Sequence, residues 1–166
     1  MVNHDVRRVF AGTLLLLASA CTAVGSEEAG NEEQARVQQA QDTWAQLVTE
    51  RGDTYTWELR HERYNGTDIV TTEVVDGAAV TQHIETQDEF GGDGPTEQTL
   101  EGDDMWGPTT VDRWQQLCAE ELAEASSAAT VYLELNGEGL IRRCEVQEPE
   151  VEYDSFAEMT AVTFTN

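Results

Sequence analysis

Cysteine, histidine and the carboxylic acids are the residue types in this chain that could do chemistry. Cys21 follows Leu17-Ala18-Ser19-Ala20. Small residues ahead of a cysteine suit a peptidase pocket that admits little bulk, and a thiol at a new first position can carry diacylglycerol. Cys118 and Cys144 are the other two cysteines. An exported chain meets an oxidising compartment, so a disulfide between them is expected. It would close a loop of roughly 25 residues and contribute roughly 3 kcal/mol. Two buried thiols is the other reading, and a redox pair lacks its C-x-x-C motif. His61 and His83 fall on neighbouring extended segments and could face each other. A metal site needs further ligands at fixed spacing, and none is evident, so two ordinary sheet histidines is the plainer reading. Ser19, Ser126, Ser127 and Ser155 have no G-x-S-x-G context. Carboxylates are so abundant that any pair could be read as an acid and a base, which makes that signal empty. Asp88, Glu89, Asp93, Glu101, Asp103 and Asp104 invite calcium, but without the spacing of an EF-hand loop. A solvated acidic loop is the plainer reading. No catalytic residue, metal or cofactor is implied.

The segment that presents Cys21 has the layout of a signal peptide over residues 1–20. Arg7 and Arg8 are its positive start, and Val9 to Ala18 is an uncharged apolar run too short to span a bilayer. The end resembles the bacterial lipobox, with Ala18 at the third position before the cysteine, where Leu is commonest. Two or three acyl chains anchor firmly, because each buried methylene contributes about 0.8 kcal/mol. Thr22 follows the cysteine, whereas an Asp there is associated with inner-membrane retention in some two-membrane bacteria, so an outer-membrane address is favoured.

Residues 21–30 are small, polar and acidic beyond the cysteine and are read as a flexible tether. Residues 31–166 are read as one domain, since the length leaves no room for two sizeable cores. Asn31 is the expected cap of a first helix at about residues 32–50, with Val37, Ala40, Trp44, Leu47 and Val48 at helical spacing and Gly52 as its stop. The period then switches to two. Tyr55, Trp57, Leu59 and His61 alternate with polar residues, and turns are expected at Asn65-Gly66 and Asp76-Gly77, where positive φ is tolerated. Strands are expected at Ile69 to Val75 and Ala79 to Glu85. Residues 87–107 are rich in glycine and poor in apolar residues and are read as a long surface loop, with Phe90, Met105 and Trp106 as its candidate binding residues. A second helix should open at Thr109 and carry Val111, Trp114, Leu117, Cys118 and Leu122 inward. Strands at Thr130 to Leu135, Leu140 to Gln147 and Ala157 to Thr165 close the chain.

The order of these features resembles a family. A Trp-bearing helix leads into Tyr55-Thr56-Trp57, a strand ends in Val74-Val75-Asp76-Gly77, and Thr110-Val111-Asp112 opens a helix. The last hairpin turns through Leu135-Asn136-Gly137-Glu138-Gly139-Leu140-Ile141, and Glu152-Tyr153-Asp154 precedes the last strand. Over about residues 38 to 165 the chain is similar to the exported bacterial proteins grouped as domain of unknown function 6174. It lacks that family's cysteines in the first hairpin and the proline of its final turn. The resemblance implies an architecture and no catalytic residue.

Charge narrows the partners. The chain has 33 acidic residues, nine Arg and no Lys. From Cys21 onward 32 acids face seven Arg, a formal charge of −25. Such a surface repels nucleic acid and anionic lipid. Acids occur in every part of the chain, which argues for solubility in salt before a dedicated site. The expected fold is α+β, in the order α-β-β-β-α-β-β-β, with two helices on one face of an antiparallel sheet. The expected function is a non-catalytic lipoprotein of the bacterial cell envelope, lipid-anchored outside the cytoplasm, that binds a protein or small ligand through its sheet or the 87–107 loop. The alternative is an envelope hydrolase, which a perturbed carboxylate or histidine in a deep pocket would favour.

Overall fold

Tyr55, Trp57 and Leu59 are each at most 2% exposed, while the polar residues between them reach solvent, so β1 (Tyr55–Arg63) lays one face on the core. The same alternation buries Val70, Thr72 and Val74 of β2 (Gly66–Val75) and Gln82 and Ile84 of β3 (Ala78–Asp88). The structure is a computed structural model that describes residues 26–88, 94–149 and 155–165. It contains α1 (Ser26–Arg51), β1 to β3, β4 (Thr96–Glu101), α2 (Val111–Glu124), β5 (Thr130–Leu135), β6 (Ile141–Gln147) and β7 (Phe156–Phe164). The seven strands form one antiparallel sheet in the order β4-β3-β2-β1-β7-β6-β5. The α+β class with two helices on an antiparallel sheet is as expected. Among the described residues no helix is long and apolar enough to cross a membrane.

The sheet has one strand more than the sequence suggests. β4 lies inside the segment expected to be loop and pairs with β3 from Thr81↔Glu101 to Thr86↔Thr96. An edge strand with one solvated face needs few apolar residues, and here Leu100 is its single large one. A second difference lies at α1, which begins at Ser26 rather than after Asn31, so part of the expected tether is helix. Small acidic residues read as linker, yet acids also favour a helix N-terminus through the macrodipole. The helix stops at Gly52, at φ +91°, whose N–H donates to the Val48 carbonyl at 2.8 Å.

The two expected glycine turns behave differently. Asp76 and Gly77 take φ of 49° and 76°, the left-handed pair expected there. In the other hairpin the central residues are Tyr64 and Asn65, and neither Asn65 nor Gly66 is at positive φ. Gly66 is needed for space instead, because a Cβ there would collide with the Gln87 carbonyl oxygen on β3. At α2 the capping residue is Thr110, one beyond the expected Thr109. Its hydroxyl oxygen accepts from the Arg113 N–H at 3.2 Å.

Both helices dock on the half of the sheet made by β1, β7, β6 and β5. Trp44 of α1 meets Tyr55 edge-on at 5.0 Å and stacks on Phe164 at 5.6 Å. Arg36 donates to the Leu133 carbonyl of β5 at 3.1 Å. The Trp114 indole N–H of α2 donates to the Ile141 carbonyl at 2.9 Å. Cys118 and Cys144 form the expected disulfide, with Cα atoms 5.7 Å apart, tying α2 to β6.

Candidate functional site

The β2–β3–β4 half of the sheet is crossed by residues 105–110, the segment that leads into α2. Three core side chains hold it. The Gln82 amide, fully buried on β3, donates to the Trp106 carbonyl at 2.9 Å and accepts from the Trp106 N–H at 2.6 Å. The Trp57 indole N–H donates to the Thr109 carbonyl at 3.3 Å. The Tyr55 hydroxyl oxygen accepts from the Val111 N–H at 3.3 Å. Two hydrogen bonds from one buried amide fix the backbone of Trp106 more tightly than one could. Trp106 stays 41% exposed, and its indole rests against the His61 ring, centroids 5.3 Å apart.

His61 is on the core face of β1, one step past Leu59, where the helices no longer cover the sheet. Its cross-strand neighbour is Asp68, and Thr86 lies beyond it on β3. Arg63 is ion-paired with the Asp68 carboxylate: its terminal N–H donates to Oδ1 at 2.9 Å, and Nε lies 2.8 Å from Oδ2 without a hydrogen bond. The Thr86 hydroxyl donates to Oδ1 at 2.8 Å. His61 Nδ1 is 3.6 Å from Asp68 Oδ2 and is buried without a hydrogen bond. These side chains, with Ile84, Gln98 and Trp106, line a cleft of about 370 Å³.

His61 also lines a second cleft of about 530 Å³ between the end of α2 and the strands β6 and β7. It is lined by apolar residues such as Trp114, Val146 and Ala157 and by four carboxylates, Glu121, Glu124, Glu148 and the buried Glu145. Desolvation in this wall, and then the nearby Glu145 charge, lift the Glu121 carboxyl above its usual range. The Ser126 hydroxyl and amide donate to Glu148 and hold its carboxyl below that range. Ser155 lines the same cleft as His61. Among the described residues no three of His, Cys, Asp and Glu come together to hold a metal ion.

The residues singled out in the sequence are partly reassembled here. Trp106 and His61 meet, Met105 beside them is half-buried, and Cys118 and Cys144 join beneath the second cleft. His83 does not face His61. It lies on the opposite, exposed face of β3, with Nδ1 3.5 Å from the Thr99 hydroxyl. Phe90 and Cys21 lie outside the described residues. The residues missed were Gln82, Arg63 and Asp68. Gln82 did carry a signal: it is a polar residue at an inward position of an alternating strand, in step with Ile84. Set against protein-family models, curated proteins and solved structures, the chain matches none of them.

Proposed function

We propose that this chain is an exported bacterial lipoprotein of the kind grouped as domain of unknown function 6174. It is held by acylated Cys21 in the cell envelope, facing away from the cytoplasm and on the outer membrane where there are two. Its domain is a non-catalytic binding module that receives a small ligand, or an exposed segment of an envelope protein, in the cleft between Trp106 and His61. The observation that carries the binding reading is the double hydrogen bond from buried Gln82 to the Trp106 backbone. A core amide that fixes the backbone of a half-exposed Trp is expected of a recognition residue, whose affinity gains from being held in place beforehand. The anchor rests on Arg7, Arg8, the apolar run and the small residues before Cys21.

The hydrolase alternative has one observation in its favour, the raised Glu121 carboxyl beside His61's second cleft. Among the described residues no nucleophile is bonded to a base, and Asp68 is already occupied by Arg63 and Thr86. Nuclear magnetic resonance of the detergent-solubilised full chain, with low-mass fractions of envelope extract added, tests the binding reading. Shifts should gather on the Trp106 indole and the His61 ring. Shifts confined to other parts of the sheet, or none with any fraction, overturn it. For the anchor, Cys21→Ala should release the protein from membranes and abolish incorporation of labelled palmitate. Equal labelling of the variant rules the assignment out.

A further inference from the structure

We infer that the ligand of the Trp106–His61 cleft is a neutral carbohydrate, an inference that rests on the cleft being a binding site at all. Charge is the first argument. The Arg63–Asp68 ion pair cancels its two formal charges within the wall, and among the described residues no other lining residue of this cleft carries a fixed charge. An ionic ligand would have to break that pair to find a partner, and the chain's net charge of −24 repels anions before they arrive. Hydrogen-bonding capacity is the second argument. The Thr86 hydroxyl donates inward and can still accept, and the exposed Gln98 amide can do both. Donors and acceptors are thus mixed around one small volume. Hydroxyl groups, which donate and accept at once, match such a wall better than a purely accepting or purely donating ligand.

The third argument is the indole. Trp106 lines the cleft and is 41% exposed, with its backbone already fixed by Gln82. A pyranose ring has an apolar C–H face and a polar rim, so it can lie on the indole while its hydroxyls reach the wall. A hydrocarbon ligand would cover the Thr86 hydroxyl and the Gln98 amide without pairing them, at a cost in affinity. The cleft volume of about 370 Å³ is in the range of small-ligand pockets, enough for the end of a glycan rather than a long stretch of one.

The test is calorimetric titration of the detergent-solubilised full chain with short neutral oligosaccharides, and in parallel with spermidine and with oligomers of glucuronate. Neutral sugars should bind saturably, with little dependence on added sodium chloride. Trp106→Ala should weaken them roughly tenfold, whereas Trp106→Phe keeps a ring and most of the affinity. Both variants change an exposed side chain, and circular dichroism with a free-thiol count verifies that the fold and disulfide persist. Saturable binding of a charged probe at Trp106, without any neutral sugar, overturns the carbohydrate assignment and leaves the binding module standing. No binding by any neutral probe also overturns the assignment, and the envelope fractions then decide the broader reading.

Discussion

Tyr55 should make the stability of this domain fall steeply above pH 10. Its ring is 2% exposed, set edge-on to Trp44 and 5.8 Å from Phe164, and its hydroxyl oxygen accepts from the first N–H of α2. Burial disfavours the phenolate and pushes the pKa from 10.0 up to about 12, against the lowering effect of the Val111 N–H and with small additions from Asp112 and Asp53. The folded state therefore holds this proton more tightly than the unfolded chain does. Its contribution to stability is whole below pH 10, where both states are protonated, and is lost as pH rises from 10 to 12. A shift of that size corresponds to about 3 kcal/mol, a large share of a typical domain's 5–15 kcal/mol. The chain suits the measurement, because it has four Tyr and no Lys to titrate in the same range. Urea denaturation at steps from pH 9 to 12, followed by circular dichroism, should show the fall. Tyr55→Phe should flatten it, while costing about 1 kcal/mol at neutral pH for the unbonded Val111 N–H. Tyrosinate absorbance should meanwhile show one of the four ionising last. If wild type and Tyr55→Phe lose stability in parallel above pH 10, the burial argument fails.

Three further outcomes follow from the packing. With 26 residues of separation, replacing both Cys118 and Cys144 by Ala should cost about 3.5 kcal/mol in urea denaturation, and the denatured unreduced native domain should show no free thiol from this pair. Gly66→Ala should destabilise by about 1–3 kcal/mol although its backbone is ordinary, because the Gln87 carbonyl occupies the space of the new methyl, and a thermal melt reads this. Sodium chloride should raise thermal stability by screening the self-repulsion of a −24 chain, with calcium doing no more than magnesium at equal ionic strength. A calcium-only gain at millimolar level would point to a real site among acids such as Asp88, Asp103 and Asp104.

What was legible in the sequence was whatever is encoded by neighbours. The alternation of Tyr55, Trp57 and Leu59, the left-handed Asp76-Gly77 pair and the inward cysteines are each set by a few adjacent residues. β4 was not legible, because an edge strand with one dry residue has almost no apolar period. Gly66 was read for the wrong reason, since the atom that demands glycine belongs to Gln87 on another strand. The site suffers most from this limit. His61 and Trp106 are 45 positions apart in the chain and Gln82 is 24 from Trp106, so no local pattern says that they meet. Asp68 looks like one acid among 33 until the register sets it opposite His61.

The position of the cleft follows from a mismatch of widths. Seven strands about 4.8 Å apart span about 29 Å from edge to edge. Two packed helices, at 8–10 Å each, cover about 20 Å of that. Roughly two strands' width of the core face must be closed by something else or left wet. The helix-then-meander order occurs twice along the chain, yet both helices settle over β1, β7, β6 and β5, where Trp44, Phe164, Cys118 and Cys144 fix them. The β2–β4 flank is left to a six-residue segment, 105–110. A segment so short can seal the part of the sheet near Gln82 and Trp57 but not the further reach at His61, Asp68 and Thr86. Polar residues are tolerated at those inward positions because they are only half-buried and pair with one another, as Asp68 does with Arg63 and Thr86, and the same opening gives a ligand its way in.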